Sequence, residues 1–348
     1  AMVKIVVVSD AGFATAVDRA GGALSSSDAT VQEQNDAPFV AAAIASLGHD
    51  VVSVVLAPLK TGRGATDGLT RVVEEDADLV VNLCDSVQGD PQLAALVPAF
   101  LDAHGVAHTG GDAFATALCK HKEQVKHTLV AQGLPTPQYQ VIPFDPERGD
   151  DDPVVFVLKV RPPVILKLCG EHASVGIDEG SVCFDQQAVR KKAKQLQQQH
   201  KQAVLVEEYV AGREFYVSCL GRPLRALPLM EHSFTGLPLR TFDKKWLERD
   251  AASVDPRFAE PVPHRCPVVA FDGSVDDVFE VAASALDAAG WRDWGRVDLR
   301  IDKGGVPLII DVTPMTYVHP EAPCLKAAAA AGLSYAEFWR VVVDGALL

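Results

Sequence analysis

An α/β fold is predicted by three observations. Apolar runs at Ile5 to Val8, Val51 to Leu56 and Leu79 to Leu83 read as strands buried on both faces. Helical stretches separate these runs, the βαβ pattern of a parallel sheet. Beyond residue 160 the strands crowd together, at Val164 to Leu168, Val204 to Val206, Glu214 to Leu220, Arg296 to Ile301 and Pro307 to Val312.

Each element has its own signals. Asp36 is expected to cap a helix that carries Pro38 in its first turn and stops at Gly48. Lys60 to Gly68 holds Gly, Thr and Arg and reads as loop. A helix from Pro91 to His104 ends at Gly105, and a polar helix from Lys120 to Gln132 is closed by Gly133. Pro135 and Pro137 lead into a strand at Tyr139 to Ile142. Gln186 to Gln202 is a Lys- and Gln-rich helix with a solvated face, and Ala211-Gly212 is a turn. Glu231 to Pro267 is irregular. A helix at Val275 to Ala289 and a terminal helix from Tyr335 complete the chain.

Bulk properties narrow the function classes. The 348 residues fit one large domain or two to three lobes, at ~100–200 residues per domain. A hydrophobic share of 48% with 22% charged residues reads as soluble and globular. The net charge of −14 argues against nucleic acid or an anionic membrane as partner, because such binding draws on Lys and Arg. No apolar run reaches the ~18 residues of a membrane span, and the start lacks signal-peptide anatomy. Seven scattered cysteines without a C-x-x-C pair read as reduced thiols, which places the protein in the cytoplasm.

Three blocks carry chemistry, and each alone also has a plainer reading. Lys167 ends the strand Val164 to Leu168, and Glu171 to Ile177 follows as a small-residue loop. Small residues let backbone N–H groups approach phosphate oxygens closely; the plainer reading is a snorkelling lysine and an ordinary turn. Val204 to Val210 ends in Glu207, Glu208 and Tyr209 ahead of Glu214, a strand end that suits adenine and ribose hydroxyls; the plainer reading is acidic surface. Arg296 and Asp298 face one side of a strand, and Asp311 lies on the next strand of an apparent hairpin. Two carboxylates on adjacent strands suit Mg²⁺, and the arginine suits a transferring phosphoryl group; the plainer reading is a surface salt bridge.

The order of these blocks, lysines upstream and carboxylates downstream, resembles the ATP-grasp superfamily and within it the D-alanine–D-alanine ligase family. The likeness runs over nearly the whole chain. It takes in Val80 to Asp85, Thr109-Gly110-Gly111, Ala117 to Lys122, Gln132 to Pro137 and Lys326 to Tyr335. It implies an ATP-grasp fold with an N-terminal α/β lobe at 1–112, a central lobe at 113–206 and a C-terminal lobe at 207–348, ATP lying between the last two. It implies ATP and Mg²⁺ (or Mn²⁺) as cofactors, small-molecule carboxylate and amine substrates, and a homodimer. Lys122 and Lys167 match the family's phosphate lysines. Lys245, or Lys244 in another register, matches a further one, with Lys245 also a catalytic candidate beside Arg296. Ser174, Val175 and Gly176 fall in the phosphate-covering loop. Glu207, Glu208, Tyr209, Val210 and Glu214 fall at the adenosine, and Asp298, Asp311 and Thr313 at the metal.

The departures concern the substrate. Thr313 stands where the family has Asn, and Asp311 where it has Glu. Tyr317 replaces a glycine, Ala322 and Ala173 replace serines, and Cys84 replaces a histidine. The glutamate that holds the first D-alanine's ammonium has no clear counterpart near Ala11 to Ala29. Glu171, Trp246, Tyr317 and His319 are the pocket candidates. The expectation is an ATP-dependent carboxylate–amine ligase that acts on amino acids or a specialised metabolite. The alternatives are a true D-alanine–D-alanine ligase and a nucleotide-binding pseudoenzyme.

Overall fold

Three sheets organise the described residues. The computed structural model describes residues 2–10, 36–56, 64–147, 149, 154–172, 174–232 and 275–348. The first sheet is parallel, in the order β2-β1-β3, from β1 (Lys4–Asp10), β2 (Asp50–Leu56) and β3 (Leu79–Asn82). Helices α1 (Ala37–Ser46), α2 (Gly64–Glu74) and α3 (Leu96–Ala103) accompany it. Ile5 to Val8 are buried completely, as a strand covered on both faces requires.

Two expectations in this region are corrected. The stretch taken as loop at 60–68 overlaps α2, which begins at Gly64. Leu69, Val72 and Val73 anchor it at helical spacing against the sheet. Gly68 permits the close approach, since a Cβ there would lie 2.8 Å from Leu56 Cδ2. Asp36 does not cap α1 with its side chain. Its carboxylate instead accepts a 2.8 Å bond from the Val318 N–H, far along the chain.

Helices α4 (Ala113–Cys119) and α5 (Lys122–Ala131) follow, α4 capped by Asp112 through the Ala115 N–H. The second sheet is antiparallel, in the order β4-β7-β5-β6, from β4 (Tyr139–Ile142), β5 (Val164–Leu168), β6 (Val182–Cys183) and β7 (Val204–Glu208). Helix α6 (Gln186–His200) packs on it through Val189, Ala193 and Leu196. The third sheet runs β10-β8-β11-β12, with β9 beside β8. Its strands are β8 (Glu214–Gly221), β9 (Arg225–Ala226), β10 (Met230–His232), β11 (Asp293–Ile301) and β12 (Pro307–Thr313). Helices α7 (Val275–Ala288), α8 (Pro323–Ala330) and α9 (Tyr335–Ala346) complete the fold.

The period-2 alternation of β8 separates two cores. Phe215, Val217 and Cys219 join α4, α5 and α7 on one face. Tyr216 and Leu220 face the other, in a core shared with β1, α1, α8 and α9. The second sheet keeps a core of its own, from Ile142 to Val206. No described helix is long and apolar enough to cross a membrane.

Candidate active site

A cleft opens between the second and third sheets. The β7–β8 connection forms one wall. Tyr209 N–H donates to Pro163 O at 2.9 Å and Glu208 N–H to Gln138 O at 2.8 Å, which holds the segment against its neighbours. The turn at Gly212 presses on the end of β11, where an added Cβ would sit 1.8 Å from Ile301 O. Arg300, near the end of β11, donates to Val210 O at 2.8 Å and to Glu214 Oε2 at 2.7 and 2.8 Å. The same guanidinium lies over the Tyr209 ring at 5.1 Å. Arg300 thus fixes the hinge that Glu208, Tyr209 and Val210 form.

The floor is β11 and β12. Asp298 pairs with Asp311 and Arg296 with Thr313 across the two strands, so the side chains stand as cross-strand neighbours. The register shifts immediately after Asp298, and the next pair is Leu299 with Ile309. Ile310 is therefore skipped, and its carbonyl accepts from Lys167 Nζ at 3.1 Å. Arg296 binds Asp298 through both oxygens, at 2.6 and 3.2 Å, and reaches Thr316 Oγ1 at 3.2 Å and Thr313 Oγ1 at 3.5 Å. Its guanidinium lies 4.6 Å over the Tyr216 ring. Burial opposes its charge, but Asp298 outweighs that and holds the arginine firmly protonated.

Cations gather at the other end. Lys122 opens α5, its N–H donating to Cys169 O at 2.9 Å, and its ammonium lies 3.2 and 3.4 Å from the Asp311 oxygens. Burial alone would raise the Asp311 carboxyl; Lys122 first and then Lys167 overcome it and keep the group far below the usual carboxylate range. His172 is pushed down to about 3 by burial and by Lys122 and Lys120, so it is neutral at pH 7. Lys167 lies 2.6 Å from Glu207 Oε2. Lys126 contacts the other oxygen of the same carboxylate. In the covering loop Ser174 and Gly176 both adopt positive φ, 65° and 75°. A Cβ on Gly176 would meet Leu168 Cδ1 at 2.9 Å, so glycine lets the loop lie close over β5.

The structure brings most of the expected residues to one cleft. Lys122, Lys167, Glu171, Ser174, Val175, Glu207, Glu208, Tyr209, Val210, Glu214, Arg296, Asp298, Asp311 and Thr313 line it. Gly176 belongs to the adjoining loop. Tyr317 and His319 are not among the lining residues. They stack on each other at 5.8 Å, with His319 edge-on to Phe39 of α1 at 4.7 Å. Lys244, Lys245, Trp246 and Ala173 lie outside the described residues. Three contributors were missed from sequence: Arg300, Lys126 and Tyr216. Arg300 had a signal, since it shares the strand face of Arg296 and Asp298 at period 2.

The donors fit a hard divalent cation. Asp298, Asp311 and the Thr313 hydroxyl are oxygen ligands on paired strands, and Mg²⁺ commonly takes one or two carboxylates, with water and phosphate completing its shell. No cluster of three His, Cys, Asp or Glu occurs among the described residues, so the phosphate and water share would be large.

A family model described as the D-ala D-ala ligase C-terminus matches residues 129–344. An uncharacterized protein of Sinorhizobium fredii is 26% identical over 349 residues, covering 98% of this chain and 96% of the relative. The D-alanine–D-alanine ligase of Bordetella avium is 29% identical over 249 residues, covering 71% and 72%. In fold, the chain is similar to the crystal structure of D-alanine–D-alanine ligase from Bacillus anthracis, with a TM-score of 0.66 at 15% identity over 100% and 98% of the two chains. The ATP complex of that enzyme gives 0.64 at 14% identity, covering 99% and 97%.

Proposed function

Because this chain belongs to the D-alanine–D-alanine ligase family and is an ATP-dependent ligase that forms C–N bonds, we propose that it joins a carboxylate to an amine through an acyl phosphate, on substrates other than two D-alanines. The observation that carries the reading is that Lys122, Lys167, Asp298 and Asp311 line one cleft. Cations and metal-binding carboxylates facing each other are what a polyphosphate with its Mg²⁺ requires.

The roles follow from position. Lys122 and Lys167 hold the phosphates and oppose charge as the terminal phosphoryl moves to the substrate carboxylate. Asp298, Asp311 and Thr313 would hold Mg²⁺, which supplies further charge neutralisation at the transferring group. The hinge at Glu208, Tyr209 and Val210 receives the adenosine, and Ser174 to Gly176 covers the phosphates. Glu207 supports the nucleotide indirectly, since its carboxylate is engaged by Lys126 and Lys167. Arg296 stabilises the oxyanion formed when the amine attacks the acyl phosphate. The amine nitrogen bonds to the acyl carbon, inorganic phosphate leaves, and the nitrogen sheds a proton.

The substrate reading rests on the departures at Cys84, Ala173, Tyr317 and Ala322. With those polar groups gone, a pair of D-alanines would be poorly oriented, and orientation is a large part of the rate. His172 stands at the phosphate end as a neutral donor, and Glu171 offers a carboxylate to a substrate ammonium. The deciding experiment supplies ATP, Mg²⁺ and amino acids in pairs and follows phosphate release and product mass. We expect amide formation from a pair other than D-alanine with itself. D-alanyl-D-alanine formed at about 1 per second or faster would overturn the substrate reading.

A further inference from the structure

Lys126 is 3% exposed and makes three polar contacts. It donates to Thr136 Oγ1 at 2.6 Å and to Ile309 O at 2.8 Å, and it contacts Glu207 Oε1. The Glu207 carboxylate, 1% exposed, is thereby shared between two lysines, with Lys167 at 2.6 Å on its second oxygen. The group Lys126–Glu207–Lys167 carries two positive charges and one negative. Lys167 and Glu207 both line the cleft, and Lys167 donates to Ile310 O at 3.1 Å.

The arithmetic of charge gives the consequence. With Lys126 present, Glu207 is balanced from behind, and one net positive charge remains for the cleft. Without it, Glu207 and Lys167 form a neutral pair. A buried pair of this kind is held tightly because neither ion can be solvated. Lys167 would then offer a phosphate little net attraction. We infer that Lys126 is a positioning residue that acts through Glu207 to keep the charge and place of Lys167 available to the phosphates of a bound nucleotide. Burial lowers Lys126 to about 8 while Glu207 pulls it upward, so the ammonium form prevails at neutral pH. The inference rests on the reading of the cleft as a nucleotide site.

Calorimetry on the full chain separates the two readings. Wild-type protein is titrated with ATP plus Mg²⁺ and, separately, with adenosine. Absence of both bindings overturns the site reading itself. Given wild-type binding, Lys126→Gln keeps hydrogen bonding without charge. It should weaken ATP about tenfold, a loss of one net interaction with phosphate, while adenosine stays within about twofold. Lys126→Arg should remain within about threefold of wild type for ATP. Adding Glu207→Gln to Lys126→Gln should recover most of the lost ATP affinity, because the charge that neutralises Lys167 is then gone. A residue that only fastened the two sheets together would lose both ligands equally, and the second substitution would not rescue ATP. Equal losses, an unchanged ATP affinity, or failure of the double variant to bind better than Lys126→Gln overturns the inference. If Lys126→Gln does not fold, Glu207→Gln alone decides: its preference for ATP over adenosine must equal or exceed that of wild type.

Discussion

Asp298 and Asp311 stand directly opposite each other on β11 and β12, and each is already met by a cation, Arg296 for the first and Lys122 for the second. Like charges directly opposite in a sheet are destabilising. The two cations offset that repulsion and hold the carboxylates ready for a divalent ion. Asp298→Asn should raise the Mg²⁺ concentration needed for half-maximal ATP turnover by about tenfold or more, with little change in melting temperature, since Arg296 keeps a hydrogen-bond partner. A magnesium titration of steady-state rate is the measurement. An unchanged magnesium requirement would remove Asp298 from the metal site.

Lys167→Ala should weaken ATP far more than adenosine. The deleted ammonium acts on phosphate, and charge-assisted contacts of this kind are worth about 1.5–3 kcal/mol, or roughly 10–100-fold in affinity. The substitution also leaves Glu207 paired with Lys126 alone. Parallel titrations with the two ligands test it, and equal losses would refute a phosphate role.

Gly212→Ala should be severely destabilising. The Cβ would fall 1.8 Å from Ile301 O and 2.9 Å from Ile301 C, and both are backbone atoms that cannot rotate away. A cost of about 3 kcal/mol or more is expected from displacing the hinge against β11. Chemical denaturation measures it, and a loss below about 1 kcal/mol would show that the turn yields.

Asp36 gives the fold a pH dependence of unusual sign. Burial raises its carboxyl from 3.8 to about 7, opposed by the backbone bonds from Val318 and His319. Its second oxygen is buried with no hydrogen-bond partner among the described residues. The native state therefore holds the proton more tightly than the unfolded chain. The stability linked to this proton is fully present below about 4 and is lost as pH rises through about 7, by an amount on the order of 2–4 kcal/mol. Asp36→Asn should remove that slope and be more stable than wild type at pH 8. Urea denaturation of both proteins from pH 5 to 8 checks it; parallel curves would contradict the assignment.

Local elements were legible where pattern and burial agreed. The strands at Tyr139–Ile142 and Val164–Leu168 lie where the apolar runs put them, because each is bounded by proline or small residues. Helix α2 was hidden by the glycines and threonines that begin it, although Leu69 and Val72 carried its period. The lysines and carboxylates of the site were legible through their order along the chain. Lys126 was not, because its meaning depends on a carbonyl 183 residues away. Its one local sign was a place four residues after Lys122, on the same face of α5. Asp36 looked like a helix cap by its neighbours, and only the approach of Val318 reveals where its carboxylate goes.

The partition of the cores has a mechanical meaning. The first and third sheets are welded through one apolar mass, in which Ile5 and Val40 touch the same cluster as Trp294 and Trp339. The second sheet, with its core confined to Ile142 through Val206, is a separate solid. Polar bridges rather than a shared apolar core join it to the third sheet, through Lys126 on Glu207 and Lys167 on Ile310 O, whereas tilting the first sheet against the third would tear a shared interior. Displacing the second sheet would break those polar contacts but leave both apolar interiors whole. The loop of Ser174 and Gly176 packs on β5 through Leu168, so any displacement of that sheet would carry the loop with it.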